Sequence, residues 1–366
     1  MQFLLSGFYF FYFAIVGIYV IFLPKVLAMV GYSGVEIGIV FATAPLVRFL
    51  VPFAFIKGFK LSRNTFNFAL LLIIVTAILF YFTLHNFYAL IFANILFGIG
   101  LSLLLPYVEV MALSTITKER YGRVRLFGSI GFIVVALVLV KFLSSANIAI
   151  FYLIFMSVMT ALFGYFLVKH ETDESEDVAV GESGEINIFS HWSLWIGLTL
   201  MQVGFGPFYN FFTLYETDHG ISMDLTIYLW SFGVIMEIIM LFFQGRLLQK
   251  NALTILQIAT FATAFRWFLL YLFPGSLEVS FFTQSIHAIS FALFHSAAIS
   301  YLFTLYKKRK LTQQFFLGIT YGLGGFIGAI YSGYMYQYFS AYLFLSSALI
   351  ALLAFLFVRQ EAKKLF

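Results

Sequence analysis

Twelve runs of roughly twenty apolar residues, separated by short segments that gather the charges, constrain this chain more than any other feature. An α-helix rises about 1.5 Å per residue, so a run of that length crosses the hydrocarbon core of a bilayer. The runs lie near residues 3-29, 35-56, 65-84, 87-113, 125-143, 147-168, 191-213, 223-246, 251-272, 278-306, 312-338 and 340-359. Of the 366 residues, 62% are hydrophobic and 10% charged, and the mean hydropathy is +0.99. That composition excludes a soluble globule. Twelve spans leave about ten residues for each connection, which is no length for a soluble domain. The first run, Phe3 to Leu23, has no basic stretch before it and is longer than a signal-peptide core, so it reads as a retained membrane helix. The expected fold is an all-α polytopic membrane protein.

The basic residues test the count of spans, because Lys and Arg accumulate on the cytoplasmic side. Of 21 Lys and Arg, 17 fall on one side when the loops are assigned alternately: the clusters from Lys57 to Arg63, Lys118 to Arg125 and Lys307 to Lys310, with Lys169, Arg246, Lys250, Arg359, Lys363 and Lys364. Only Lys25 and Lys141 fall on the other, and Arg48 and Arg266 lie inside spans. A missed or invented span would scramble this split. It sets both termini in the cytoplasm of a multi-pass protein of the cytoplasmic (inner) membrane. It also accounts for the net charge of +5 as membrane orientation, with no nucleic-acid partner. Zero Cys excludes disulfides, thiolate-bound zinc, iron–sulfur clusters and cysteine nucleophiles.

Between spans six and seven, Glu171, Asp173, Glu174, Glu176, Asp177, Glu182 and Glu185 occur with no Lys or Arg among them. This reads as a solvated linker and divides the chain into an N-terminal six-helix bundle (1-168), an acidic cytoplasmic linker (169-190) and a C-terminal six-helix bundle (191-366). The halves share short patterns. An offset of 189 carries Gly17 and Gly31-Tyr32-Ser33 onto Gly206 and Gly220-Ile221-Ser222, and Arg48 onto Glu237; an offset of 194 carries Gly128-Ser129-Ile130-Gly131-Phe132 onto Gly322-Leu323-Gly324-Gly325-Phe326. In order and in corresponding spans, these matches argue for a duplication, two parallel repeats of six helices.

A charge at the bilayer centre costs about 2.5 to 3.5 kcal/mol on insertion scales, so charged residues within spans need partners or a water-filled cavity. Arg48, Glu109, Glu237 and Arg266 are such residues, and Arg125 stands at the start of span five. Arg48 and Glu237 lie at equal depth, which suits either a pair that opens and re-forms during transport or a permanent ion pair. Glu109 follows Pro106 near the basic end of span four, where an interfacial carboxylate is the alternative to a substrate ligand. In span ten, His287, Phe291 and His295 share one broad face of a regular helix. These histidines suit proton relay or substrate recognition, or plain hydrogen bonds to neighbouring helices; with no third ligand adjacent, no metal site is expected. Aromatic clusters at Phe8 to Tyr12 and Phe208 to Phe211 stand in the equivalent spans one and seven, and Gly318, Gly322, Gly325, Gly328 and Ser332 in span eleven have the spacing of a close helix contact. No clustered catalytic set such as HExxH is present, so no enzyme is expected.

Pro106-Tyr107-Val108-Glu109 followed by Tyr121-Gly122-Arg123-Val124-Arg125-Leu126-Phe127-Gly128-Ser129-Ile130-Gly131-Phe132 resembles the helix 4 to 5 signature of lactose-permease-like major facilitator proteins. The segments FYFFYFAIVGIYVIFLP, APLVR, LFGSIGF, SIHAISFALFH and YGLGGFIGA fit, in order, the branch that contains 3-phenylpropionate transporters. By this resemblance Glu109 and Arg125 match the carboxylate and guanidinium that bind substrate, Arg266 and His287 match a proton-coupling Arg and His, and Glu237 matches an acid of helix 8 loosely. Phe132 stands where the family has a sugar-stacking tryptophan, and Ser290 where it has a proton-carrying carboxylate. The loop FIKGFKLSRN also lacks the usual acidic residue of the superfamily's gating motif.

The expectation is therefore a secondary transporter, a proton symporter working by alternating access. Substrate ligands would be Glu109, Arg125, Arg48 and Arg266; Glu237, His287 and His295 would couple protonation to movement. Three arginines against two carboxylates lean towards an anionic substrate such as an aromatic carboxylate, with a nucleoside or sugar as the alternative. The expected partners are a small-molecule substrate, protons and the lipid bilayer, with no cofactor beyond the proton gradient and a monomeric chain.

Overall fold

A computed structural model describes residues 1–57, 59, 61–116, 118–170, 187–249 and 251–364. Among these residues there is no strand. The chain forms two compact units, Met1–Gly181 and Glu182–Phe366. The acidic stretch that reads as a linker lies, over 171–186, outside the described residues.

The first unit holds α1 (Gln2–Val30), α2 (Gly34–Ile56), α3 (Arg63–Thr83), α4 (Phe87–Thr115), α5 (Lys118–Phe142) and α6 (Ala146–Lys169). The second holds α7, in two pieces (Trp192–Gly204 and Gly206–Asp218), α8 (Met223–Leu248), α9 (Ala252–Leu272), α10 (Leu277–Leu305), α11 (Arg309–Phe315, then Phe316–Leu323 as a π-helix, then Gly324–Phe339) and α12 (Leu343–Lys363). Ten runs among the described residues are long and apolar enough to cross a membrane. The longest, Leu311–Lys363, contains both α11 and α12, and α7 falls short because its pieces have 13 residues each. Ten runs, one more for the double one and one for α7, give the expected twelve.

Local chemistry sets the boundaries. Asn86, Ser222 and Asn251 accept hydrogen bonds from first-turn amides of α4, α8 and α9. Ser33 and Glu36 form a reciprocal capping box before α2: the Ser33 amide donates to Glu36 Oε2 at 2.8 Å, and the Glu36 amide donates to Ser33 Oγ at 3.3 Å. The break in α7 falls at Phe205, just before Pro207, whose missing N–H interrupts the helical ladder.

The duplication read in sequence is present in backbone detail. Gly31 and Gly220 both end their helices in the left-handed region, with φ of 101° and 88°. The amide of Tyr32 donates to the Leu27 carbonyl, and that of Ile221 to the Glu216 carbonyl, the same Schellman closure 189 residues apart. Helix neighbours repeat as well. In the first unit α1 packs on α5 and α6, α2 on α4, and α3 on α4 and α6; in the second α7 packs on α11 and α12, α8 on α10, and α9 on α10 and α12. The tight crossings correspond too. A Cβ at Gly131 of α5 would overlap the Phe10 carbonyl of α1, and one at Gly206 of α7 would overlap the Gly328 carbonyl of α11. The close approaches in α11 fall at Gly324 and Gly328, which abut the carbonyls of Thr199 and Val203.

Each unit has its own aromatic core: Phe8, Tyr9, Phe66, Phe80 and Phe97 in the first, Phe205, Phe208, Phe212 and Trp267 in the second. Large apolar side chains such as Phe82, Phe242 and Phe243 are exposed, as expected of helices solvated by lipid tails.

Three boundaries differ from the sequence reading. The α5 helix starts at Lys118, not near 125, because Lys, Glu and Arg are good helix formers and do not end a helix by being charged. Arg125 therefore sits inside α5. The α7 helix runs to Asp218, not 213, and takes Glu216 into the buried part of the unit. In α10 a π-helical stretch, Ala288–Leu293, separates His287 from His295, so the regular-helix geometry assumed for them does not hold.

Candidate functional site

In the first unit the structure brings together Glu109 of α4 and Arg125 of α5. Arg125 Nε lies 3.2 Å from Glu109 Oε1, and the two side chains are 33% and 25% exposed. The Tyr121 hydroxyl, one turn before Arg125, donates to Glu109 Oε2. The guanidinium also lies over Phe13 (4.1 Å to the ring centre) and Tyr9 (5.3 Å) of α1. This is a charge-neutral pair on an aromatic floor, open enough to meet a ligand, and it offers both a donor fork and a hydrogen-bond acceptor.

Around it, phenols anchor α1 to α4. The Tyr12 hydroxyl donates to the Leu101 carbonyl at 3.0 Å, and that of Tyr19 to Asn94 Oδ1 at 3.0 Å. Buried Asn94 donates in turn to the Val40 carbonyl and Thr43 of α2. Arg48 of α2 is exposed and lies within electrostatic reach of Tyr12 and Tyr19.

The second unit is built differently. Arg266 of α9 is fully buried. Its Nη1 bonds to His287 Nδ1 at 2.9 Å and donates to Ser290 Oγ at 3.3 Å, and its Nη2 donates to Gln284 Oε1 at 3.0 Å. The guanidinium lies 4.4 Å from the ring centre of Phe208 and 4.2 Å from that of Trp267. Stacking of a desolvated cation on such faces is worth about 2 kcal/mol or more, which offsets part of the several kcal/mol that burying a charge costs. Because Nδ1 of His287 accepts from a guanidinium, the ring proton belongs on Nε2, and Nε2 stands 3.9 Å from Glu237 Oε2 of α8. Arg266, His287 and Glu237 thus form one cluster, with Glu237 23% exposed.

Arg266 meets no carboxylate among the described residues. Arg266 Nε, Trp267 Nε1 and Gln284 Nε2 are buried without a hydrogen-bond partner there. All three are donors, so what this neighbourhood lacks is an acceptor.

His295 goes elsewhere. Its Nδ1 pairs with the Tyr321 hydroxyl of α11 at 2.8 Å, while His287 stacks on Phe291 at 5.2 Å between ring centres. Among the described residues the two histidines thus meet different neighbours, His287 α8 and α9 and His295 α11. Ser290, at the position of the family's carboxylate, does face the arginine.

Sequence reasoning did not single out Tyr121, Gln284 or Trp267. Helical spacing was the available signal, since Tyr121 stands four residues before Arg125 and Gln284 three before His287. Asn94, a polar residue in the apolar run of α4, could have been noticed by the same reasoning that picked out the intramembrane charges.

The comparisons agree with this architecture. Residues 3–346 match the MFS_1 like family. A "Probable 3-phenylpropionic acid transporter" of Escherichia coli (strain K12) is 24% identical over 366 residues, covering 96% of each chain. An "Uncharacterized transporter YwbF" of Bacillus subtilis (strain 168) is 24% identical over 363 residues, covering 92% of this chain and 87% of that protein. Among solved structures, the nucleoside transporter NupG superposes with a TM-score of 0.80 at 16% identity over 97% of this chain and 98% of its own. A bacterial homologue of the human lysosomal transporter Spinster superposes with a TM-score of 0.73 at 13% identity over 99% of this chain and 96% of its own. The relatives are transporters and not enzymes, and the chain itself belongs to the MFS_1 like family, a multi-pass membrane transporter of the major facilitator type.

Proposed function

We propose that the protein is a proton-coupled symporter of a small organic anion, an aromatic carboxylate such as 3-phenylpropionate, working by alternating access in the cytoplasmic membrane with both termini in the cytoplasm. The observation that carries this reading is Arg266: a buried guanidinium on aromatic faces, with unpartnered donors around it and, among the described residues, no carboxylate in contact. A carboxylate supplies the missing acceptor and the missing charge, and the phenyl group of such a substrate suits the rings of Phe205, Phe208 and Trp267.

Arg266 and Arg125 are the substrate-binding cations, with Arg48 the further positive charge within the first unit. Glu109 holds Arg125 in place and exchanges that bond when substrate arrives. Glu237 and His287 couple protonation to movement: a proton on Glu237 weakens its attraction for the His287 ring, which is bonded directly to Arg266. His295 takes part through Tyr321, at the contact of α10 with α11. The sorting of Lys and Arg supports the orientation, and the 3-phenylpropionic acid transporter is the relative whose printed name suits the site. The protein works as a monomer with no cofactor other than the proton gradient.

Purified protein in proteoliposomes, loaded at one pH and diluted into a lower one, tests the reading. Aromatic acids should accumulate with an inward proton gradient and not without it. Uptake of nucleosides or sugars in their place would move the assignment to the alternative substrate class; uptake indifferent to the gradient would remove proton coupling.

A further inference from the structure

One buried acid has no part in the sites above. Glu216, in the second piece of α7, has no exposed surface. Its side-chain partner is Ser280 of α10, whose hydroxyl lies 3.1 and 3.2 Å from the two carboxyl oxygens. A single hydroxyl does little to offset the burial of a carboxylate, and binding a proton removes that cost.

Among the described residues no ion pair reaches Glu216. On α7 itself, the Tyr215 hydroxyl donates to the Leu270 carbonyl, His219 Nδ1 is held by the Tyr215 carbonyl, and Asp218 pairs with Tyr336 of α11. On α10, Glu278 accepts from Ser276. The nearest charged residue of α8 in sequence is Asp224, in its first turn, α12 contributes Phe344, and α9 contributes Tyr271.

Two features stand beside Glu216, a cavity and a buried polar face. A cavity of about 340 Å³ at the same end of the unit is lined by Tyr215, His219, Tyr271, Leu272, Pro274 and Ala341. Tyr215 and His219 stand one residue before and three after Glu216, so the cavity reaches the same turn of α7. Ser280, Gln284 and His287 lie at i, i+4 and i+7 on one face of α10, all of them buried. That face runs from Glu216 to the cluster of Arg266, His287 and Glu237.

We propose that Glu216 is a further proton-carrying acid of the second unit, in addition to Glu237, loaded from the cavity next to His219 and linked to Arg266 and His287 along the buried polar face of α10. The step is a transfer of one proton from a hydronium ion in the cavity to the carboxylate: an O–H bond of the hydronium breaks, one forms on Glu216 and a water is left, and release to water reverses it. The proposal rests on the symport reading, and it assigns that function to a residue to which neither the motifs nor the span boundaries pointed.

Infrared difference spectra between acidic and alkaline buffer read carboxyl protonation without any substrate. Wild-type protein should show a carboxyl C=O band that disappears in Glu216→Gln and shifts in Ser280→Ala, which removes the hydroxyl partner. In proteoliposomes with an inward proton gradient and 3-phenylpropionate as probe, Glu216→Gln should accumulate at least about tenfold less than wild type, a change worth about 1.4 kcal/mol, and Glu216→Asp should restore part of it. An unchanged band in Glu216→Gln overturns the proposal, as does wild-type accumulation in that variant. Where Glu216→Gln does not fold, an unshifted band in Ser280→Ala overturns it instead. If wild type itself shows no gradient-driven accumulation, the symport reading fails, while the infrared band still decides whether Glu216 binds a proton.

Discussion

The two units place their arginines in opposite circumstances. Arg125 of the first is partly exposed and already carries a carboxylate partner in Glu109, with Tyr121 bonded to the same carboxyl. Arg266 of the second is buried among neutral acceptors and rings. The same six-helix plan, with the same helix neighbours, thus yields one site whose arginine touches a carboxylate directly and one whose arginine, among the described residues, is linked to a carboxylate only through His287. Under the proposed symport of an anion, the first site trades an internal bond for a substrate bond at small net cost, and the second supplies the charge that the anion answers.

Substitution of Arg266 should give the largest effect. Arg266→Ala strands the acceptors of Gln284 and His287 in the core and should cost about 1 to 3 kcal/mol for each group left unsatisfied. Thermal unfolding in detergent reads this loss, and transport should be absent. Arg266→Lys keeps the charge but cannot reach three acceptors at once, so it should fold better than the alanine variant while remaining transport-deficient. Equal stability of the alanine variant and wild type would erase the contrast between the units.

The first unit's site should behave otherwise. Glu109→Gln and Arg125→Ala should each reduce transport by about tenfold or more while changing stability by about 1 kcal/mol or less, since the pair is partly solvated. A large loss of stability there would make the first unit's pair structural. The repeat itself is tested at its turns: Gly31→Ala and Gly220→Ala each force a side chain into the left-handed region and should each cost about 1 to 2 kcal/mol, nearly the same in both units. His295→Ala should have the smallest effect, about 1 kcal/mol from the lost bond to Tyr321, with far more transport remaining than in His287→Ala. Parity between the two histidine variants would restore the single face that the sequence spacing suggests.

The spans, the division into halves and the buried Arg266 were legible because desolvation leaves a plain mark on composition: a charge within a twenty-residue apolar run has to be there for a reason. The repeat was legible through glycines, since Gly31 and Gly220 answer to φ and Gly206 to a close crossing. What the sequence hid follows from weaker signals. The stretch Glu216-Thr217-Asp218-His219 looks like a loop, so the span was ended early and a fully buried acid was passed over. The helical character of residues 118–124 was masked by their charges, which put Arg125 at a helix start instead of two turns inside it. The π-helical stretch between His287 and His295 has no sequence signature, and the bonding of the one to α9 and the other to α11 could not be read from periodicity. Gln284 and Tyr121 are ordinary polar residues until the helices that face them are known.

The most direct test of the central claim sets an anion against its neutral twin. In proteoliposomes taking up labelled 3-phenylpropionate, unlabelled 3-phenylpropionate should compete strongly and 3-phenylpropanamide, which has the same ring and chain without the charge, should compete at least about tenfold more weakly. In equilibrium binding to purified Arg266→Gln, which needs no transport, the acid should lose its preference over the amide. Equal competition by the amide and the acid in wild type would contradict the assignment of Arg266 as the charge that answers an anionic substrate.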